Sequence, residues 1–132
     1  MRSTHVSVVI DAPPQRAYDI AGDPAYLPRW AAGLAQSDVV WDGEVFGVQS
    51  PMGEVTVRFA ARNDYGVLDH DVTLPSGVTV NNPLRVLAHP RGSEVVFTIR
   101  QLDLSDADFE RDVAMVQEDL ERLRDLVERT QH

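Results

Sequence analysis

Apolar and polar residues alternate along the first ten residues and again through the middle of the chain. The segment HVSVVI places Val6, Val8 and Ile10 on one face, and the same two-residue period recurs from beyond AAGLAQ as far as Arg100. Such alternation is typical of antiparallel strands with one buried face and one wet face. Turn signals such as PSG and PRG separate the runs. The pattern therefore predicts a first strand followed later by a meander of about six strands.

The spacing becomes helical in two places. After the first strand, APPQRAYDIAGDP predicts a short helix that opens on proline and stops at Gly22, and Asp23 and Pro24 start a second short helix. Near the other end, Ser105 and Asp108 form a capping box with Asp in place of Glu. Apolar residues then recur at helical spacing from Phe109 to the C-terminus, which predicts a helix of roughly 24 residues, on the order of 36 Å long.

This order of elements predicts an α+β fold. The C-terminal helix is the only element large enough to cover the apolar face of the sheet. A strongly twisted sheet that curves around one helix need not close fully against it, so a pocket is expected between them. No repeat, linker or low-complexity tract interrupts the chain, and we interpret residues 1–132 as one domain.

One polar residue falls on an apolar face. In YGVLDHDVTL, alternation places His70 on the same face as Leu68, Val72 and Leu74. It places Asp69 and Asp71 on the opposite face. One interpretation is a cavity imidazole that hydrogen-bonds a ligand or moves a proton, with its charged form disfavoured by burial. The other is a histidine satisfied by a neighbouring strand or a buried water.

Other candidate ligand contacts are aromatic side chains, amides on inward positions and one apolar position of the long helix. Together with His70, which is also the tentative catalytic residue, the predicted ligand-binding set is Trp41, Phe59, Tyr65, Asn82, Phe97, Gln101 and Val113. Trp30 closes the second short helix; it could form an aromatic wall for a flat ligand, but a packing anchor between helix and sheet is favoured. Pro83 interrupts VTVNNPLRVLA, which leaves open a bulge there and whether Leu84 or Arg85 points inward.

The composition limits the nucleophiles, metal ligands and partners that are compatible with this chain. The net charge is −9, all 12 basic residues are arginine, and the chain has no lysine and no cysteine. Schiff-base chemistry, thiol nucleophiles and cysteine-ligated metals are therefore excluded, and the acidic balance argues against nucleic acid as a partner. The four histidines lack the paired spacing of a metal site. We expect no cofactor, no membrane insertion, a cytoplasmic location, and a monomer or homodimer.

Several segments resemble a known superfamily. VIDAPPQRAYDIAGDPAYLPRW resembles the N-terminal signature of the START-like, or SRPBCC, superfamily, and YGVLDHDV, NNPLRVL, SEVVFTI and FERDVAMVQEDLERLRDLVE resemble a bacterial branch of it. The resemblance covers nearly the whole chain. It implies the helix-grip fold, a curved antiparallel sheet of about six to seven strands around the C-terminal helix with an internal cavity.

The function implied by this resemblance is broad, because the superfamily hosts many activities on one fold. The first hypothesis is a protein that binds a hydrophobic small molecule (a polyketide, an aromatic or a lipid-like compound) and promotes its cyclisation or dehydration without a metal or covalent cofactor. The alternatives are a non-catalytic carrier or sequestering protein, and a protein-interaction module of the co-chaperone type. The sequence leaves open whether the protein is an enzyme.

Overall fold

The computed structural model describes residues 1–31, 40–42, 45–50 and 53–130. Three helices are present in these ranges, α1 (Pro14–Ala21), α2 (Leu27–Trp30) and α3 (Asp106–Arg129), with a 3₁₀ turn at Pro24–Tyr26 before α2. The strands in these ranges are β1 (Ser3–Ile10), β2 (Val40–Asp42), β3 (Val45–Ser50), β4 (Gly53–Phe59), β5 (His70–Thr73), β6 (Thr79–Asn82), β7 (Leu84–His89) and β8 (Gly92–Arg100).

The strands form two antiparallel sheets that are joined through one long hairpin. The first has the order β1-β8-β7 and the second the order β2-β3-β4-β5-β6. Residues just before β5 run along β7, where Val67 pairs with Arg85 and the Leu68 N–H donates to the Leu84 carbonyl at 2.8 Å. The hairpin therefore belongs to both sheets, and the chain curves from one into the other along it.

Pro83 separates β6 from β7 without changing the register. His70 lies opposite Asn82 on one side of the proline, and Val67 lies opposite Arg85 on the other, at the same offset. No residue is inserted, so the bulge considered for this segment is not formed. Alternation continues across the break, and it buries Leu84 completely while Arg85 remains exposed. Arg85 therefore does not point into the interior.

The long helix begins and ends as the sequence predicts. Ser105 is its N-cap, and the Ser105 hydroxyl accepts a hydrogen bond from the Asp108 N–H at 3.1 Å. Its apolar face is buried against β1, β8 and the short helices, through residues that include Phe109, Leu120, Leu123 and Val127. The predicted α+β helix-grip fold is confirmed. Among the described helices, none combines the length and apolar character needed to cross a membrane.

Candidate functional site

A small, partly open cavity lies between the five-stranded sheet and the helices. Its volume is about 160 Å³, and we refer to it as the inner cavity. The sheets contribute the side chains of Val57, Phe59, His70, Val72, Asn82 and Phe97. The helical side is lined by Leu27, Trp30, Ala31, Val116 and Asp119. Most of this surface is apolar, so the few polar side chains determine which hydrogen bonds a bound molecule can make.

Aromatic rings form a continuous row along the sheet side of the cavity. The ring centroids of Phe46 and Phe59 are 5.7 Å apart, those of Phe59 and His70 are 5.1 Å apart, and those of His70 and Phe97 are 5.8 Å apart. These separations are in the range of favourable aromatic contacts. The imidazole of His70 is thus held between two phenyl rings, which restricts its orientation.

The His70 ring is also fixed by a backbone hydrogen bond. Its Nδ1 atom lies 3.0 Å from the Leu68 carbonyl oxygen. In a regular antiparallel ladder this oxygen would accept from the N–H of Leu84, which lies opposite, but that N–H instead donates to the Asp69 carboxylate at 3.0 Å. Because Asp69 accepts from the Leu84 N–H, the Leu68 carbonyl oxygen can accept a hydrogen bond from the His70 imidazole.

Asp69 itself is held by an arginine across the hairpin. The Arg85 guanidinium donates from Nε at 2.8 Å and from Nη2 at 2.7 Å to the two carboxylate oxygens. These hydrogen bonds hold the pKa of Asp69 below its usual value, with help from the Leu84 N–H. The carboxylate is therefore charged at neutral pH and remains a strong acceptor.

At His70, burial disfavours the charged form of the side chain. Desolvation lowers the pKa of His70 below the ordinary value of 6.5, and the Leu68 carbonyl and the nearby Asp69 and Asp71 carboxylates only partly oppose it. The imidazole is consequently neutral at pH 7. A neutral ring that donates from Nδ1 carries no proton on Nε2, so Nε2 is a hydrogen-bond acceptor.

Two further polar groups line the helical side of the cavity. The indole Nε1 of Trp30 is buried and has no hydrogen-bond partner among the described residues. The Asp119 carboxylate accepts from the Arg122 guanidinium, which also donates to the Trp30 carbonyl at 3.2 Å. In the described part of the chain, His, Asp and Glu side chains do not gather in threes as a metal site would require.

A second, larger pocket adjoins the inner cavity across Phe59. This outer pocket has a volume of about 540 Å³, is half-open, and lies between the end of α1 and the end of β4. Phe46, Phe59 and Leu68 form apolar parts of its wall, and Arg58 and Arg62 are at its edge. Phe59 lines both spaces, so the two pockets meet at this residue.

The structure brings together four of the predicted ligand-binding residues. Phe59, His70, Asn82 and Phe97 all line the inner cavity, although they come from four different strands. The backbone of Trp41 lies in β2 opposite Phe46, but its side chain is outside the described residues.

Three other predicted residues do not reach the cavity. Tyr65 is 84% exposed, because it lies in the turn before β5 and not on the strand. Gln101 follows the end of β8, and its amide donates to the Leu104 carbonyl and to Asp106 at the start of α3. Val113 is half-buried and packs against the hydrophobic core instead. Tyr65 is predicted from its aromatic character alone, whereas Gln101 is predicted by extending alternation past the end of β8, where it no longer applies.

Trp30 and Asp119 are cavity residues that sequence reasoning assigned other roles. Trp30 was expected to be a packing anchor; it is indeed buried, at 4% exposure, but it also lines the cavity. Asp119 is not among the residues predicted to contact a ligand. Its position three residues after Val116 is a signal for a shared helix face that was available in the sequence.

The comparisons with known proteins agree on one fold. The model of the family described as "Polyketide cyclase / dehydrase and lipid transport" matches residues 1–128. The solved structure of XoxI from Bacillus cereus is similar with a TM-score of 0.74 at 17% identity, covering 100% of this chain and 99% of that one. Protein CV1439 from Chromobacterium violaceum gives a TM-score of 0.72 at 16% identity, with 97% and 99% covered. Ara h 8.0201 gives 0.69 at 13% identity, with 96% and 97% covered. No curated protein matches the sequence.

Proposed function

Because the chain belongs to the polyketide cyclase/dehydrase and lipid transport family, we propose that it binds a hydrophobic small molecule in the inner cavity. The observation that carries this proposal is a partly open, mostly apolar space lined by Phe59, Phe97 and, between them, the neutral imidazole of His70. A filled core would bring these rings into contact with the helices. Here they line an open volume of about 160 Å³.

The size of the cavity limits what it holds. An apolar cavity of about 150 Å³ in another protein is large enough for benzene, so the inner cavity of about 160 Å³ suits one aromatic or alicyclic ring. The outer pocket, at about 540 Å³, has the size of an ordinary ligand site. A molecule larger than one ring therefore places a ring in the inner cavity and extends past Phe59 into the outer pocket.

The second activity that we propose is cyclisation or dehydration of a bound reactive chain. The lowered pKa of His70 makes it a weak proton acceptor, so its contribution is hydrogen bonding and orientation more than proton storage. Holding a flexible chain in a folded shape between aromatic rings accelerates its closure by proximity alone. This activity requires the same cavity as binding does.

The experiment is a binding titration with a blocked cavity. The native protein is titrated with a hydrophobic fluorophore and with a panel of one-ring and two-ring aromatic compounds, and saturable binding is expected. Val72→Phe places a larger side chain on the cavity wall and is expected to abolish it. Native chemical-shift dispersion in the variant shows that it is folded.

The matched control makes the same change on the same hairpin but outside the cavity. Val78 is 56% exposed in the turn between β5 and β6, so Val78→Phe is expected to bind like the native protein. Absence of saturable binding for every compound would overturn the proposal. Equal binding by the native protein and a folded Val72→Phe variant would place the ligand elsewhere.

A further inference from the structure

The tautomer of His70 is set by the backbone. A carbonyl oxygen only accepts hydrogen bonds, so the 3.0 Å contact between Nδ1 and the Leu68 oxygen requires the proton on Nδ1. In the neutral ring this leaves a lone pair on Nε2. The Leu84 N–H would otherwise compete with Nδ1 for the Leu68 oxygen, but it donates to the Asp69 carboxylate instead.

The Nε2 acceptor has no partner among the described residues. The rings on either side of the imidazole, Phe59 and Phe97, carry no hydrogen-bond donor. The amide of Asn82, opposite His70 in the sheet, donates to the Val80 carbonyl at 3.2 Å. An imidazole nitrogen on a mostly apolar cavity wall is poorly solvated, and a ligand with a hydroxyl group would supply it with a hydrogen bond.

The donor that has no partner lies on the other side of the same cavity. Trp30 lines the helical side, its side chain is buried, and its indole N–H has no partner in the described ranges. Because this nitrogen has almost no accessible surface, it is not exposed to the cavity, and the choice of ligand rests on the acceptor at His70 Nε2.

We infer that the inner cavity selects a ring that carries a hydroxyl group, phenolic or enolic, whose O–H donates to His70 Nε2. This inference rests on the proposed function and names the ligand chemistry of the same site. The ring fits the volume of the cavity and lies against the aromatic row, and the hydroxyl supplies the hydrogen bond that Nε2 lacks.

The test compares phenol, anisole and toluene, which differ in the group on one ring. Each is titrated into the native protein, and the preference for phenol over toluene is measured again in His70→Leu. Loss of a buried hydrogen bond predicts that this preference falls about tenfold in the variant. Anisole, which accepts but cannot donate, is expected to show no such change. Val78→Phe, which changes an exposed residue in the turn between β5 and β6 and leaves the cavity and the acceptor intact, is the control, and its preference is expected to stay within about twofold of the native value.

A second measurement needs no variant. In the native protein labelled with ¹⁵N at histidine, long-range proton–nitrogen spectra identify the protonated ring nitrogen of His70. We expect Nδ1 to carry the proton, and the Nε2 signal to shift on adding phenol but hardly on adding toluene. If all three probes bind with the same preference in native protein and His70→Leu, or if Nε2 carries the proton, the inference is wrong while the proposed binding stands. If no probe binds, the proposed function itself fails.

Discussion

The two sheets meet the same helix in different ways. The three-stranded sheet closes onto α3 with fully buried side chains, among them Ile10, Val95, Leu123 and Val127. The five-stranded sheet is separated from α3 by the inner cavity, and its residues Phe59 and Val72 are only partly buried. Both regions are lined mostly by aliphatic and phenylalanine side chains. The difference therefore lies in geometry and not in residue type.

This contrast indicates that the two sheets contribute differently to the stability of the fold. A close-packed region supplies most of the folding free energy, because buried area and van der Waals contacts are complete there. A region that keeps a cavity gives up part of that stabilisation along its lining. The closed sheet thus stabilises the fold, and the open sheet keeps a space in which polar groups such as His70 remain available to a ligand.

The largest expected effect comes from one substitution made at two places on α3. Val127 is fully buried, whereas Val116 is half-buried and faces the inner cavity. We expect Val127→Ala to lower the free energy of unfolding by about 1.5 to 3 kcal/mol, and Val116→Ala to lower it by less than about 1 kcal/mol, since its methyl groups already border empty space. Urea unfolding of both variants measures the difference. Equal losses would mean that the two halves of the helix are packed alike.

The next effect concerns the junction of the two regions. Asp69→Ala removes the ion pair with Arg85 and also leaves the Leu84 N–H without its acceptor, so we expect a loss of about 1 to 3 kcal/mol. Arg85→Ala removes only the ion pair. Because the Arg85 side chain is 48% exposed, that pair is screened by water, and we expect a loss below about 1 kcal/mol.

Chemical denaturation of the two variants tests this ordering. A loss in Arg85→Ala as large as that in Asp69→Ala would show that the charge pair, and not the backbone acceptor, stabilises the junction. Asp69→Asn, which keeps an oxygen acceptor, is the intermediate control, and we expect it to retain part of the stability that Asp69→Ala loses.

Alternation predicted the inward position of His70, and the structure places the residue on the cavity wall between Phe59 and Phe97. The face of a strand on which a residue lies depends only on its position among its sequence neighbours, so the sequence is enough to predict it. The identity of the ring's backbone partner is not local. It depends on which donor Asp69 captures across the hairpin, and alternation alone assigned Asp69 to the outer face with no role near the ring.

Helix patterning was similarly sufficient for α3 and its cap, since both depend on residues close in sequence. The cavity is different, because its lining comes from α2, α3 and four strands, and its volume depends on how far the curved sheet stands from the helix. Trp30 illustrates this limit: the sequence indicates that it is buried, but only the packing shows that its indole N–H lacks a hydrogen-bond partner among the described residues.

Lowering the pH is expected to weaken the open region first. The unfolded chain protonates His70 below about pH 6.5, whereas burial keeps the folded imidazole neutral until its lowered pKa is reached. The free energy of unfolding should therefore fall as the pH drops below 6.5, with a contribution that approaches about 1.4 kcal/mol per pH unit. Asp69 adds a separate loss only at more acidic pH, because its pKa lies below 3.8 in the folded protein.

The comparison that isolates this contribution uses His70→Leu. Urea unfolding between pH 8 and pH 5 should show the native protein losing stability relative to the variant as the pH falls, because only the native protein carries the penalty. Two parallel curves across this range would contradict the assignment of a neutral, buried His70.

The smallest expected effect is that of His70→Leu on stability at pH 8. The variant loses the hydrogen bond to the Leu68 carbonyl, which costs about 1 kcal/mol net, but it replaces a buried polar ring with an apolar side chain that suits the neighbouring phenyl rings. These terms nearly cancel, so we expect a change below about 1 kcal/mol in either direction.

In the closed region, Val95→Thr introduces a hydroxyl at a fully buried position and should cost about 1 to 3 kcal/mol, because no cavity gives the group room to find a partner. Melting and urea curves at pH 8 compare the two. A loss of more than about 3 kcal/mol in His70→Leu, with phenol binding unchanged, would show that this histidine stabilises the fold as part of the core and has no role in binding.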